Sequence, residues 1–359
     1  MINVTKPYMP DRKRLDSYID RIYDKVWLTN NGPLVQELTE RLSEYLDVDN
    51  LLLVSNGTLA LQIAYRALGV IGSAITTPFS FVATTSSIAW EGITPIFSDI
   101  EPDSFCLNPS LIESSIKDDT SAIVPVHVFG NACDVEAIDS IAEKNNLKVI
   151  YDASHAFGVR YKDKGLLRYG DAATLSFHAT KLFHTIEGGA IAFKRAEDLE
   201  RAKLLINFGM EGPDKISYLG INAKMNEFQA AMGLAVLDEM DAVIEKRSKV
   251  WRRYETHLKS DTQLQRRNIN STNNYAYFPV VFESEEALLE VKAKLNENGI
   301  NPRRYFYPSL DTVPYTKDQI MPVSRDISSR IMCLPMYGEL ELTDVDFVSD
   351  LLKNRRAMK

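Results

Sequence analysis

The stretch TLSFHATKLFHTIEGGAIAF, residues 174–193, sets two short apolar runs on either side of a loop that carries one lysine, Lys181. Ser176 and Thr180 place small hydroxyl groups before the lysine, and the pair Gly188-Gly189 follows it. Apolar runs of this length, bounded by small residues, read as buried strands. Lys181 therefore sits on a short connection between two strands, where its amine can be desolvated. A desolvated lysine gives up its proton more readily and can attack a carbonyl carbon to hold a Schiff base, so the residue is read as a cofactor anchor. A solvated loop lysine is the other reading of the same residues.

Composition sets the class around this loop. The 359 residues are 45% hydrophobic, 25% charged and 9% aromatic, which suits a globular chain with one large domain and a smaller one. A formal net charge of -8 argues against a nucleic-acid surface. The basic segments Lys246 to Arg253 and Lys353 to Lys359 are short and mixed with apolar residues, as on solvated helix faces. Cys106, Cys133 and Cys333 are far apart, odd in number and lack CxxC spacing. Neither a disulfide framework nor a metal site is expected, and reduced cytoplasmic thiols fit better. Lys6, Asp11, Arg12, Lys13 and Arg14 come before any apolar run, and no run reaches the length of a membrane span. Export and a membrane partner are not expected.

Segments upstream of the loop alternate between strand and helix signals. Helical spacing covers Arg12 to Lys25, WLTNNGP (residues 27–33) interrupts it, and a second helix runs from Pro33 to near Asp47. Leu51 to Val54 is a buried-strand run, and Ser55-Asn56-Gly57-Thr58 turns it into a helix, Leu59 to Leu68, closed by Gly69. Backbone N–H groups there, opened by Gly57 and joined by the Thr58 hydroxyl, make a place for a dianionic phosphate. An ordinary helix capped by Asn56 or Ser55 is the alternative. A strand then ends at Pro78, a helix is predicted over Val82 to Trp90, and a strand over Thr94 to Asp99. Phe79 and Phe81 fall at the turn between the first two, either against a planar ligand or in the core. Ala122 to Val128 reads as strand, Asp134 to Asn145 as helix, and Lys148 to Asp152 as a strand leading into DASHAFG. This alternation predicts an α/β fold with a mostly parallel sheet covered on both faces, its site at the carboxyl ends of the strands.

Asp152 lies at such a strand end. A carboxylate there can keep a pyridine nitrogen protonated, which turns a pyridoxal ring into an electron sink; a turn or capping aspartate is the alternative. His155 either hydrogen-bonds ring substituents or supports the turn. A phosphate turn, an aromatic, a strand-end Asp and a loop Lys, arriving in that order, reinforce one another.

These segments carry a resemblance. SNGTLAL (55–61), FSFVATTSSI (79–88), DASHAFG (152–158), SFHATK and HTIEGGA (176–190) and GINAKMNEFQAAMG (220–233) resemble the DegT/DnrJ/EryC1/StrS family of pyridoxal-phosphate-dependent sugar aminotransferases over nearly the whole chain. The resemblance implies the type I, aspartate-aminotransferase-like fold, with a large cofactor-binding domain over residues 1–245 and a small α+β domain over 246–359. It implies pyridoxal 5'-phosphate as cofactor, passing through pyridoxamine 5'-phosphate, and a homodimer that moves an amino group from L-glutamate to a nucleotide-linked keto sugar. By position, Lys181 matches the Schiff-base lysine, Asp152 the partner of the pyridine nitrogen, and Phe81 the stacking aromatic. Gly57, Thr58 and Ser176 match the phosphate binders, and His155 the residue beside the phenolic edge. Asn222 matches an asparagine that reaches the neighbouring subunit's cofactor. Thr29, Asn30, His184, Arg303 and Tyr305 are the expected substrate contacts; the guanidinium groups of Arg303 and Arg304 suit phosphate recognition, and a solvated pair beside a packed tyrosine is the other reading.

A lysine rather than a histidine at 181 favours transamination over dehydration within this resemblance. SFHATKLFHTIEGG is closer to the 4-aminotransferases, such as those making TDP-4-amino-4,6-dideoxyglucose, than to the 3-aminotransferases, and the implied setting is bacterial cell-surface polysaccharide synthesis. Residues 221–258 read as one long helical pattern linking the domains. Tyr275 to Phe282 alternates like a strand, Glu285 to Asn298 is an amphipathic helix closed by Gly299, and Leu334 and Met336 read as core. Two other classes fit the residues less well. A nicotinamide-dependent dehydrogenase needs GxGxxG after its first strand, which SNGTLAL lacks. A non-catalytic binding protein on the same fold would be expected to lose Lys181.

Overall fold

The computed structural model describes residues 1–316 and 319–353, which leaves most of the basic run 353–359 outside the described residues. Seven strands build the central sheet: β1 Leu51–Val54, β2 Ser73–Thr76, β3 Thr94–Phe97, β4 Thr120–Val124, β5 Lys148–Asp152, β6 Ala172–Ser176 and β7 Gly189–Phe193. Their order is β1-β7-β6-β5-β4-β2-β3. The pairs among β6, β5, β4, β2 and β3 are parallel, and β7 alone runs antiparallel to both of its neighbours. The carboxyl ends of β5 and β6 therefore lie along one edge, and β7 begins at that same edge with Gly189 opposite both Val54 and Ser176.

Side chains alternate between the two faces, as the pleat requires. Leu53, Ile75, Ile123, Val149 and Leu175 face one buried cluster, closed by the helices Pro33–Leu46, Val135–Asn145 and Glu227–Leu237. Leu52, Val54, Ala74, Val124, Ile150 and Ile191 face the other, beneath the helices Gly57–Leu68 and Ala196–Leu205. A third cluster joins a three-stranded antiparallel sheet, Gln263–Leu264, Phe278–Val281 and Ile331–Leu334, to the helices Glu285–Glu297 and Leu342–Lys353. The helix Met240–Leu258 runs from the first cluster, through Val243, into the third, through Val250 and Tyr254. Ile2–Asn3 pairs with Ile300–Asn301, so the first residues share the C-terminal layer. A fourth cluster seams the two parts together: Phe79, Phe105 and Phe129 against Tyr277, Phe306 and Cys333.

Differences from the sequence expectation trace to particular residues. The strand expected to reach Val128 stops at Val124, because Pro125 offers no N–H to the ladder; Phe129 then turns with φ +55°. Thr94 to Asp99 stops at Phe97, and the Asp99 carboxylate instead accepts the N–H groups of Val323 and Ser324 at 2.9 Å, at the head of the helix Pro322–Arg330. The single long helix expected over 221–258 is two helices, Glu227–Leu237 and Met240–Leu258. They break at Asp238 and Glu239, whose carboxylates are engaged by Arg14 and Tyr18 of the helix Arg12–Lys25, by Arg41 of the helix Pro33–Leu46 and by Tyr8, which precedes both.

Candidate active site

The loop between β6 and β7 is anchored at both ends. Phe177 N–H donates to the Gly188 carbonyl and Lys181 N–H to the His178 carbonyl, each at 2.8 Å. The two apolar residues after the lysine are buried, with Phe183 stacked on Phe157 at 4.5 Å. The Lys181 side chain, itself half-buried, lines a cavity at the sheet edge beside Asp152. Desolvation pushes its proton affinity below the usual lysine value, against the opposing pull of Asp152.

Asp152 ends β5 with 5% of its surface exposed. The Thr84 hydroxyl donates to its Oδ2 at 2.7 Å and the Ser154 N–H to its Oδ1 at 3.1 Å. His155, three residues on, accepts the Phe129 N–H at Nδ1, 3.2 Å away. A neutral imidazole that accepts at Nδ1 carries its proton on Nε2. Burial, then the nearby Lys181, depresses the His155 pKa well below its ordinary value, so the ring stays neutral and presents an N–H donor.

The helix Gly57–Leu68 starts two residues earlier than its pattern suggested, with Asn56 as N-cap accepting the Leu59 N–H. The first N–H groups of a helix have no partner inside it, so those of Gly57 and Thr58 open onto the sheet edge. A β-carbon at Gly57 would meet Ser176 Cβ at 2.7 Å, so this approach requires glycine.

These groups share one cavity of about 270 Å³: Gly57, Thr58, Phe81, Asp152, His155, Ser176 and Lys181 line it together with Arg303 and Tyr305. Phe81 is 46% exposed whereas Phe79 is fully buried, which separates the ring beside the cavity from the ring in the core. The Arg303 guanidinium lies over the Tyr305 ring at 4.5 Å. A desolvated amine, a buried carboxylate and N-terminal helix N–H groups with adjoining hydroxyls suit a ligand that has a carbonyl, a basic ring nitrogen and a dianion.

Other expected residues lie elsewhere. His184 is 2% exposed and its Nε2 contacts the Tyr8 carbonyl oxygen at 2.6 Å, so within this chain it secures the N-terminal segment and does not face the cavity. Arg304 is committed to Glu285 at 2.5 Å and to the Ser329 carbonyl, which removes it from the substrate side. Thr29 and Asn30 lie on the exposed link between the first two long helices, and Asn30 lines a separate groove with Lys224. Asn222 is exposed and bridges to Asn207. Conversely, Ser80, Tyr277 and Glu187 line the cavity, and Thr84 stands behind it, although the resemblance assigns them no role; His178, within SFHATK, lines it too. The signal for Ser80 and Thr84 is their four-residue spacing in FSFVATTSSI across the start of the helix Val82–Trp90.

The chain is similar to known proteins over nearly its whole length. A family model described as the DegT/DnrJ/EryC1/StrS aminotransferase family matches residues 11–353. A dTDP-4-amino-4,6-dideoxy-D-glucose transaminase of Shigella dysenteriae is 41% identical over 360 residues, covering 98% of each chain. A protein of the same name from Escherichia coli is 38% identical, again over 98% of both. Among solved structures, that of DesI in the presence of its TDP-sugar product superposes with a TM-score of 0.93 at 33% identity, covering 98% of this chain and 92% of DesI.

Proposed function

The chain belongs to the DegT/DnrJ/EryC1/StrS aminotransferase family and is a sugar aminotransferase, and from that premise we propose its cofactor, donor and acceptor. It binds pyridoxal 5'-phosphate and moves the amino group of L-glutamate to the C4 ketone of a nucleotide-linked 4-keto-6-deoxy sugar. The acceptor is dTDP-4-keto-6-deoxyglucose and the product a 4-amino-4,6-dideoxy sugar nucleotide, as in the names of the relatives from Shigella dysenteriae and Escherichia coli. The observation that carries this reading is the desolvated Lys181 amine sharing a cavity with the buried Asp152 carboxylate.

Gly57, Thr58 and Ser176 would hold the phosphate, Phe81 a face of the ring, Asp152 the ring nitrogen and His155 the phenolic edge. Bound there, the cofactor supplies an electron sink for the carbon that loses its proton. The remaining work falls to the chain. Lys181 Nζ, with its proton affinity lowered by burial, is the group placed to take a proton from the donor's α-carbon and to return one to the sugar carbon. Asp152, held by two donors, favours a protonated partner facing it. His155 keeps its Nε2–H as a donor in both directions. Phe306 and Tyr277, 4% and 7% exposed, pack against the His155 ring and keep water from that side.

A second copy of the chain belongs to this reading. Phe208, Ile216, Tyr218, Leu219, Ile221 and Phe228 are each 42% to 78% exposed around Asn222. The Glu227 N–H donates to the Leu28 carbonyl at 3.0 Å, which sets the link bearing Thr29 and Asn30 beside that patch. An exposed apolar area of this kind supports a homodimer, in which Asn222, Thr29 and Asn30 would approach the partner's cavity. The nucleotide-sugar substrate and the three buried free thiols support a cytoplasmic location.

The test is product analysis. With glutamate and a panel of dTDP-linked and GDP-linked 4-keto sugars and a UDP-linked 3-keto sugar, mass spectrometry and NMR should find the new amine at C4 of the dTDP sugar. Amination of the 3-keto sugar alone would overturn the assignment.

A further inference from the structure

The carboxylate of Asp152 is reached by a short relay of hydroxyl groups. Thr84 donates to Oδ2 at 2.7 Å, and Ser80 Oγ lies 2.7 Å from Thr84 Oγ1. Thr84 is 0% exposed and Ser80 3%, so neither hydroxyl turns freely to water. A hydroxyl has one proton to give. With the Thr84 proton committed to the carboxylate, the Ser80 contact is a donation to Thr84, and both protons run toward Asp152. The Ser154 N–H donates to the other carboxylate oxygen, Oδ1. The same turn carries Phe81, whose carbonyl accepts the Thr84 N–H at 3.2 Å. Ring face and carboxylate are thereby set by one helix start.

We infer that Thr84 is a positioning residue that fixes the orientation and negative charge of Asp152, with Ser80 donating to it. The inference rests on the reading of the cavity as a pyridoxal-phosphate site.

The experiment compares wild type, Thr84→Val, Thr84→Ser and Ser80→Ala, each stripped and reloaded with pyridoxal phosphate. The visible band is followed against pH, with the cofactor Kd and kcat measured beside it. Valine matches the shape of threonine but cannot donate. A lost hydrogen bond to a charged group should move the midpoint of the band in Thr84→Val by about one pH unit and lower kcat about tenfold. Thr84→Ser should restore both to within about twofold, and Ser80→Ala should shift the midpoint in the same direction by less. Should Thr84→Val fail to fold, Ser80→Ala decides, and an unmoved midpoint there counts against the relay. A Thr84→Val protein that melts earlier but keeps the wild-type midpoint and kcat would make the hydroxyl merely structural and overturn the inference. A wild type that takes up no pyridoxal phosphate would overturn the reading of the cavity and this inference with it.

Discussion

Gly57 and Ser176 meet across the edge of the sheet so closely that a β-carbon on Gly57 would lie 2.7 Å from the β-carbon of Ser176 and 3.1 Å from its Cα. The start of one helix and the end of β6 are thus pressed together where the phosphate of a cofactor is expected.

Gly57→Ala forces that contact apart. Backbone on the Ser176 side cannot yield cheaply, so a cost of about 1–3 kcal/mol in overpacking is expected. The variant should melt earlier and bind pyridoxal phosphate at least about tenfold more weakly, since 1.4 kcal/mol is a factor of ten. Titration of the apo-protein with the cofactor checks this; unchanged affinity would remove Gly57 from the phosphate site.

Buried histidines give the protein an acid-sensitive side. His127 is fully buried, stacks on Tyr151 at 4.5 Å, and is depressed by desolvation to about 3. His155 is also depressed. Below the ordinary histidine value of about 6.5 the unfolded chain takes up protons that the folded chain refuses. Stability should therefore be fully present above pH 6.5 and decline as pH falls toward the folded values. His127→Asn, whose side-chain oxygen can still accept the Cys133 N–H that His127 Nδ1 accepts at 3.1 Å, should flatten that decline. Urea midpoints between pH 7.5 and 4.5 read it directly, and an unchanged slope in the variant would assign the acid sensitivity to other groups.

Glu227, 1% exposed, caps the helix Pro33–Leu46 from a distance in sequence, accepting the Leu34 and Val35 N–H groups at 2.9 Å each. Removing a charged acceptor from two buried donors costs about 2–4 kcal/mol. Glu227→Ala should lower the denaturant midpoint accordingly, and Glu227→Gln, which keeps one acceptor, by clearly less. Equal losses in the two variants would mean that packing, not capping, is what Glu227 provides.

The exposed apolar patch around Asn222 yields a prediction of its own. Leu219, 78% exposed, should tolerate a charge in an isolated chain and not in a dimer. Leu219→Asp is expected to shift the sedimenting species from dimer to monomer and to reduce turnover, leaving the far-ultraviolet circular dichroism unchanged. A wild type that sediments as a monomer at working concentration would contradict the proposed assembly.

What could be read from the sequence was what is local. The strands around Lys181 are apolar runs, Asp152 closes another, and Gly57 and Phe81 follow strand ends, so the cavity's outline was available from order alone. What was missed depends on distant partners. The break at Asp238 and Glu239 looks helical in isolation and exists because Arg14, Arg41, Tyr8 and Tyr18 engage these carboxylates from the other end of the chain. His184 sits three residues past Lys181, yet its ring turns to the Tyr8 carbonyl, a contact that spacing cannot disclose. Thr84 gains its importance from Asp152, 68 positions away. Pro125, by contrast, was a visible strand stop inside a run of apolar residues that drew the boundary too far.

The central claim is that Lys181 is the reactive amine. Loading the wild-type protein with pyridoxal phosphate, reducing it with borohydride and mapping its peptides by mass should place one phosphopyridoxyl group on Lys181, and none in Lys181→Ala. Labelling of another lysine, or of none, would contradict the account.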